Sequence, residues 1–387
     1  MYFNWRQFLR DARYRVFSHT PPDLPIPPGY RRRRAVVSVM FVFCMAWMVG
    51  GGRLGYVVDR ILFPGYRRIR VRRPVFILGN FRSGSTYLHR MIAALPGFTA
   101  MATWEIYFAP SITARKLWRG IWMLDRVFGA PVKRYLLALQ ERELGEVTMH
   151  RIRLQEAEED EGLFLYLWES LFNWFFVTRQ VADSPYWKFD ASIPRWRRKA
   201  AFRFYEGCLK RHLYVHGEEK TYIAKNPSFT AKTDTLLEFF PDARIIYLVR
   251  HPLTGSVSVM GWFAFAWHYF ACTPERLPYR DTVLELAREW YLRPRARLEA
   301  LPDSQCAVVR YEDLVSAPDE TIPAMMRQLG LQVPPGFREQ LMTMPRRDPN
   351  DRTHSIDLSD LGLDPGEALS FFREVITYYG YDERPNP

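Results

Sequence analysis

The most informative stretch of the chain is Val75-Phe76-Ile77-Leu78-Gly79-Asn80-Phe81-Arg82-Ser83-Gly84-Ser85-Thr86-Tyr87-Leu88-His89-Arg90-Met91-Ile92. It opens with a short run of branched and aromatic side chains, which is typical of a buried strand. It then passes through Asn, Gly and Ser into a helical pattern that places Leu88, Met91 and Ile92 on one face. The pattern predicts a strand, a tight loop and the start of a helix.

The predicted loop has the composition of an anion-binding site. A helix N-terminus offers backbone N–H groups and the positive end of the helix dipole. Ser83, Ser85 and Thr86 add hydroxyl groups, and Arg82 adds a fixed positive charge. An ordinary strand-to-helix turn with incidental Gly and Ser residues would look similar, so the loop needs support from a second segment.

The loop also differs from a triphosphate-binding loop in one residue. Gly79 and Gly84 have the spacing of the pattern G-x-x-x-x-G-K-[ST], and Thr86 occupies its last position, but Ser85 stands where that pattern has Lys. A kinase or ATPase uses that Lys together with Mg²⁺ to bind the β and γ phosphates. The loop therefore favours a less charged group than a triphosphate.

The second segment runs from Ala243 to Ser258, with the sequence ARIIYLVRHPLTGSVS. A buried strand is predicted from Ile245 to Val249, and Arg250 follows at its carboxyl end, where ligands bind in open α/β sheets. Pro252 then favours the first turn of a helix that carries Ser258. A guanidinium and a hydroxyl group are thus predicted to converge on a second phosphate.

Together these segments resemble the sulfotransferases that use 3′-phosphoadenosine 5′-phosphosulfate (PAPS), and the bacterial branch with the loop R-S-G-[ST]-T is the most similar form. The first segment is similar to the family's phosphosulfate loop. Arg250 followed eight positions later by Ser258 is similar to its 3′-phosphate site. A third stretch, Val309-Arg310-Tyr311-Glu312-Asp313-Leu314 before Ala317-Pro318, is similar to the family's late strand and turn. The resemblance covers roughly residues 74 to 381.

The resemblance implies a role for each matching residue. It implies that the 5′-phosphosulfate binds to a continuous group: Arg82, Ser83, Gly84, Ser85, Thr86 and Tyr87. It implies that Arg250 and Ser258 bind the 3′-phosphate, with PAPS as donor and no metal required. The expected fold is a three-layer α/β sandwich with a parallel central sheet, and strands near Phe76, Tyr222, Ile246 and Val308 at its centre.

The expected catalytic residues come from other parts of the chain. Relatives have a Glu shortly after the phosphosulfate loop as general base, and Glu105 matches it here. Relatives also carry a Lys-x-Pro element beside the sulfate, which makes Lys225 the expected partner of the leaving oxygen, with Arg82 beside it. His150 is a second candidate for the base. An acidic run from Glu156 to Glu161 is interpreted as a helix N-terminus stabilised by its dipole.

Charge divides the chain of 387 residues at about residue 73. Residues 1–73 contain 15 Arg, no Lys and 3 Asp, a net charge of +12, whereas the remainder has 39 basic and 39 acidic residues. This asymmetry argues against a nucleic-acid-binding catalytic domain and for an arm that meets an anionic lipid surface. The four Cys form no C-x-x-C pair, so neither a zinc site nor a disulfide framework is predicted.

Residues 1–73 are therefore predicted to be a basic membrane-associating arm, and residues 74–387 the catalytic domain. The arm contains an uncharged run at 35–52, eighteen residues that at about 1.5 Å each would just span a bilayer. Gly50, Gly51 and Gly52 close the run, and Arg clusters flank it on both sides. A monotopic or re-entrant anchor with the catalytic domain on the cytoplasmic face is the preferred interpretation, and a single span stays open.

Sulfuryl transfer from PAPS to a hydroxyl, or less readily an amine, of an apolar, lipid or glycan acceptor is therefore the predicted function. A small-molecule kinase is one alternative, and Ser85 argues against it. A catalytically silent membrane-associated nucleotide-binding protein is another. Binding of 3′-phosphoadenosine 5′-phosphate without a metal would separate the three.

Overall fold

The computed structural model describes residues 2–17, 30–144, 153–176, 184–266, 280–343 and 363–382. His150, the second candidate for the general base, lies outside the described residues.

Five parallel strands form one central sheet. They are β1 (Val75–Gly79), β2 (Phe98–Thr99), β3 (Thr221–Lys225), β4 (Arg244–Val249) and β5 (Cys306–Arg310). Their order is β2-β3-β1-β4-β5, so that β1 pairs with β3 on one side and β4 on the other. The four strands expected near Phe76, Tyr222, Ile246 and Val308 are confirmed as β1, β3, β4 and β5.

Helices connect these strands and precede them. The α-helices of the first half are α1 (Trp5–Phe17), α2 (Tyr30–Ala46), α3 (Gly52–Leu62), α4 (Ser85–Ala93), α5 (Thr103–Tyr107), α6 (Ile112–Val127), α7 (Pro131–Leu144), α8 (Glu161–Phe164) and α9 (Asn173–Phe176). Those of the second half are α10 (Phe189–Ser192), α11 (Arg195–His216), α12 (Thr233–Phe239), α13 (Pro252–Ala266), α14 (Arg280–Leu292), α15 (Arg295–Glu299), α16 (Tyr311–Ser316), α17 (Pro318–Gln328), α18 (Phe337–Thr343) and α19 (Pro365–Tyr379). Short 3-10 turns cover Pro64–Arg68, Leu165–Leu167, Pro185–Lys188 and Pro227–Lys232.

The sheet is covered on both faces, which confirms the three-layer α/β sandwich. Successive side chains of a strand point to opposite faces. Accordingly Val75 and Ile77 belong to a core that includes residues of α4 and α17, whereas Phe76 and Leu78 belong to a larger core that includes residues of α11 and α12. Strands buried on both faces read as continuous apolar runs, as β1 and β4 do.

The N-terminal arm packs against the catalytic domain instead of standing apart from it. Phe41, Met45 and Met48 share a core cluster with Tyr166 and Trp168 of the domain. The Trp168 indole donates a buried hydrogen bond of 2.8 Å to Asp11 in α1. The arm therefore contributes to the buried core of the described structure.

The apolar helix of the arm is longer than expected. The sequence predicts an apolar helix at 35–52, but α2 continues through a π-helical turn at Trp47–Gly51 into α3. The glycines do not end the helix. Gly52 instead allows close packing, because a Cβ at this position would lie 2.5 Å from the Tyr166 ring. Among the described residues, Arg34–Leu62 is the one helix long and apolar enough to cross a bilayer.

Candidate active site

The loop between β1 and α4 has the geometry of an anion cradle. Gly84 has φ +82°, a backbone conformation that residues with a side chain rarely adopt. A Cβ at this position would also lie 2.8 Å from the Tyr311 ring, so both the conformation and the available space favour Gly. The first hydrogen bonds of α4 are donated by the amides of Tyr87 and Leu88 to the Gly84 carbonyl, at 3.1 and 3.3 Å. The preceding amides of Ser85 and Thr86 therefore have no intrahelical acceptor. Such N–H groups at a helix N-terminus favour an anion.

The two segments singled out in the sequence meet at the carboxyl edge of the sheet. Because β1 and β4 are neighbouring parallel strands, their following loops lie side by side. The Arg82 Nε donates a hydrogen bond of 3.1 Å to the Ser258 hydroxyl, and the Arg250 guanidinium donates one of 2.9 Å to the Arg82 carbonyl. The predicted phosphosulfate loop and the predicted 3′-phosphate residues thus form one cluster.

Residues that the sequence did not assign to the site hold Arg250 in place. Its guanidinium stacks on the Tyr311 ring with 4.2 Å to the centroid, and its carbonyl accepts a 2.7 Å hydrogen bond from the Tyr291 hydroxyl. Glu312 accepts a 3.0 Å hydrogen bond from the backbone N–H of His251. The third stretch of the resemblance, Val309–Leu314, therefore supports the second.

Lys225 lies at the carboxyl end of β3, beside β1, and is fully buried. Its ammonium contacts two carboxylates, Glu159 at 2.6 Å and Glu158 at 3.2 Å. Burial lowers the pKa of Lys225, but the charges of Glu159 and Glu158 outweigh burial and raise it above its ordinary value. Lys225 therefore keeps its positive charge, and two carboxylates that the sequence did not assign to the site stand next to it.

The acidic run from Glu156 to Glu161 binds side chains of other elements of the fold. Glu158 and Glu159 contact Lys225. Asp160 accepts hydrogen bonds from the Tyr205 and Tyr222 hydroxyls at 2.6 and 2.7 Å. Glu161 pairs with the buried ammonium of Lys232. The helix that follows, α8, has only four residues. Glu161 does lie in the first turn of α8, as the helix N-terminus interpretation expects, and the tertiary fold supplies further partners for the run.

Glu105 is buried in a cluster of its own. Its carboxylate contacts His216 Nε2 at 2.7 Å and Arg115 Nε at 3.3 Å, and it accepts a hydrogen bond of 3.0 Å from the Ala102 amide. Burial would raise the pKa of Glu105, but the Arg115 guanidinium and the hydrogen bond to His216 outweigh it, so the pKa lies below its ordinary value. Its described hydrogen bonds and ion pairs join it to none of Arg82, Lys225 or Arg250.

The same cluster contains potential metal ligands. Glu105, His212 and His216 each offer a ligand atom, and these atoms lie within 4.8 Å of one another. Arg115, whose charge repels a cation, already contacts the carboxylate. The expectation that no metal is required stays a prediction.

The family follows from comparison with known proteins. A family model described as "Sulfotransferase family" matches residues 74–335, well over half of the chain. The chain belongs to the sulfotransferase family. Its fold and its enzyme class are therefore those that the three motifs indicated, and a kinase is the wrong class.

Individual relatives are distant. The chain is 24% identical over 325 residues to omega-hydroxy-beta-dihydromenaquinone-9 sulfotransferases from Mycobacterium bovis and Mycobacterium tuberculosis, covering 81% of this chain and 77% of each relative. Solved structures with the same fold include two mycobacterial sulfotransferases. Sulfotransferase STF1 from Mycobacterium tuberculosis has a TM-score of 0.68 at 20% identity, covering 96% of this chain and 92% of that one. Sulfotransferase STF9 from Mycobacterium avium has a TM-score of 0.67 at 15% identity, covering 99% and 98%.

Proposed function

We propose that this sulfotransferase moves the sulfuryl group of PAPS to a hydroxyl group of an apolar lipid at a membrane surface. The observation that carries the donor assignment is the contact between Arg82, Ser258 and Arg250 at one edge of the sheet. Two guanidinium groups and a set of helix N-terminal amides suit a donor with phosphate groups at both ends of its ribose. The lipid acceptor is suggested by the named substrate of the mycobacterial relatives.

The proposed reaction is an in-line displacement at sulfur. The acceptor oxygen forms a bond to sulfur while the bond from sulfur to the bridging oxygen of PAPS breaks. The bridging oxygen leaves on 3′-phosphoadenosine 5′-phosphate with the bonding electrons, and the acceptor proton passes to a carboxylate, proposed to be Glu105.

The roles of the binding residues follow from that reaction. Arg82 and the amides and hydroxyl groups of Ser83 to Tyr87 hold the phosphosulfate, and Arg250 with Ser258 holds the 3′-phosphate. Lys225 is proposed to stabilise the charge on the leaving oxygen. Because its ammonium is paired with Glu158 and Glu159, it would exchange one of these carboxylates for the leaving group.

The N-terminal arm is proposed to hold the enzyme on the cytoplasmic face of a membrane. Along Arg34–Leu62 one helix face is buried against the domain, whereas Val36, Val39, Phe43 and Leu54 on another face are exposed. A helix with one face packed on a globular domain lies along the bilayer surface more readily than it crosses it. The donor nucleotide is available on the cytoplasmic side.

Calorimetric titration with 3′-phosphoadenosine 5′-phosphate in the absence of metal tests the donor assignment. We expect tight binding by the wild-type protein and binding about 10- to 100-fold weaker for Arg250→Ala, because a charged hydrogen bond to phosphate is lost. Arg244→Ala, at the opposite end of the same strand, is the matched control and should bind like wild type. Equal affinity of the two variants, or tight binding of Mg-ATP alone, would refute the assignment. Incubation of membranes with radiolabelled PAPS would then identify the acceptor from the labelled product.

A further inference from the structure

Helices α6 and α7, which lie outside the N-terminal arm, form a hairpin. The tip of this hairpin exposes apolar side chains. Val127 is 79% exposed and Phe128 is 75% exposed. Among the hairpin side chains that the structure describes, the other exposed large apolar ones are Leu117, Ile121, Met123, Leu124, Val132, Tyr135 and Leu137. Single exposed apolar residues are ordinary, but a contiguous set of this size marks a binding surface.

At the tip the Asp125 carboxylate is buried and the backbone amides are hydrogen-bonded, whereas the Val127 and Phe128 side chains are exposed. Asp125 is buried, and its carboxylate accepts hydrogen bonds of 2.8 and 3.0 Å from the amides of Val132 and Lys133, at the start of α7. The Ala130 amide donates to the Asp125 carbonyl at 2.6 Å. Because these contacts satisfy the backbone of the turn internally, the tip can leave water without exposing unpaired amides.

The charges of the hairpin suit an anionic surface. Its exposed charged side chains up to residue 134 are all basic: Lys116, Arg119, Arg126, Lys133 and Arg134. Cationic side chains around apolar ones are the composition of elements that lie in the interface of anionic bilayers.

The hairpin also begins directly beside the arm. Asp59 of α3 accepts hydrogen bonds from the first amides of α6, those of Ile112 and Thr113, at 2.9 and 2.8 Å. Lys116 of α6 lies over the Phe63 ring at the end of α3, 5.1 Å from its centroid. The exposed apolar residues of α3 and those of α6 therefore belong to neighbouring, directly linked helices.

We propose that the α6–α7 hairpin is a second membrane-inserting element, which enters an anionic lipid bilayer with its tip at Val127 and Phe128. The arm and the hairpin then contact one bilayer together, and the catalytic domain is held at two places instead of one. This inference deepens the membrane association proposed above. Its test measures lipid binding and is independent of sulfuryl transfer.

Flotation of the full-length protein with vesicles of phosphatidylcholine, with and without phosphatidylglycerol, tests the hairpin. We expect wild type to bind the vesicles that contain phosphatidylglycerol. Phe128→Glu should bind about tenfold more weakly or worse, because a charge replaces a large apolar group that the bilayer would bury. Phe128→Ala should bind severalfold more weakly without any change of charge. Met342→Glu on α18, at a position 59% exposed, is the matched control and should bind like wild type.

The other outcomes identify other occupants of the surface. If Phe128→Glu binds vesicles like wild type while Phe43→Glu on α2 does not, the arm alone binds lipid and the hairpin proposal is overturned. If light scattering without vesicles shows a dimer that Phe128→Glu converts to a monomer, the surface binds a second copy of the chain and the proposal is likewise overturned. Unchanged binding of 3′-phosphoadenosine 5′-phosphate by these variants would show that a failure here leaves the donor assignment intact.

Discussion

Glu105 illustrates how one residue type can serve either chemistry or structure. A general base must take a proton from the acceptor, whereas the contacts of Glu105 with Arg115 and His216 hold its pKa below the ordinary value. A carboxylate stabilised in this way takes up a proton less readily. Glu159 contacts Lys225, the residue proposed to stabilise the leaving oxygen, at 2.6 Å, and is therefore the alternative carboxylate to test.

Substitution of each carboxylate decides between them. If Glu105 is the base, Glu105→Gln keeps the affinity for 3′-phosphoadenosine 5′-phosphate and lowers kcat at least about 100-fold, the usual contribution of a general base. Steady-state rates of sulfuryl transfer measure the effect, with Glu159→Gln assayed in parallel. A Glu105→Gln enzyme that keeps most of its kcat would eliminate Glu105, and Glu159→Gln and His150→Gln would then be compared.

At the scale of elements, Asp160 joins three parts of the fold. It precedes α8 and accepts hydrogen bonds from Tyr205 in α11 and Tyr222 in β3. Burial raises the pKa of its carboxyl group from 3.8 to about 7, although both hydroxyls act in the opposite direction. Its other oxygen, Oδ1, has no hydrogen-bond partner among the described residues.

This raised pKa predicts the pH dependence of stability. Between about pH 4 and pH 7 the folded protein keeps the proton on Asp160 while the unfolded chain has lost it, so this group makes stability fall as pH rises. Asp160→Asn cannot titrate and keeps an oxygen for both tyrosines. Relative to wild type, the variant should gain roughly 2–4 kcal/mol in the free energy of unfolding across that window. Urea unfolding at pH 5 and pH 8 measures this, and a pH-independent difference would contradict it.

At the scale of the whole molecule, buried contacts join the arm to the domain. Asp59 of the arm is fully buried, accepts hydrogen bonds at the start of α6 and pairs with Arg211 of α11 at 2.8 Å. Although the family match begins at residue 74, the arm thus completes part of the structure that the match covers. Membrane binding by the arm would therefore also orient the domain.

Removal of the Asp59 carboxylate should loosen that connection. Asp59→Ala leaves the Arg211 guanidinium buried without its carboxylate and removes the acceptor of the Ile112 and Thr113 amides, although the Ser111 cap of α6 remains, so we expect a loss of about 3–5 kcal/mol in the free energy of unfolding. Asp303→Ala, at an exposed position, should stay within about 0.5 kcal/mol of wild type. Chemical unfolding of the three proteins measures the difference. Equal stability of the two variants would show that the arm does not support the domain.

Local sequence patterns were enough to predict the elements that carry the candidate donor site. The strand, loop and helix predicted within residues 75–92 agree with β1 and α4. The strand predicted from Ile245 to Val249 and the helix predicted to start at Pro252 agree with β4 and α13. Apolar periodicity, a Gly at a tight turn and a Pro in the first turn of a helix act over a few neighbouring residues, and a short window of sequence contains them. The convergence of Arg82 and Arg250 could also be predicted, because parallel strands end at the same edge of the sheet and each of these residues follows a strand.

Only the tertiary structure decided which charges meet and which surfaces stay exposed. Lys225 pairs with carboxylates that lie 66 and 67 positions away in the sequence, and Glu105 contacts His216 at a separation of 111 positions. No local sequence pattern contains such pairs. Likewise, the composition of the 35–52 run indicates a membrane helix but not which of its faces packs on Tyr166 and Trp168. Burial and ion pairing depend on which distant segments fold together, and that is determined by the packing of the entire chain.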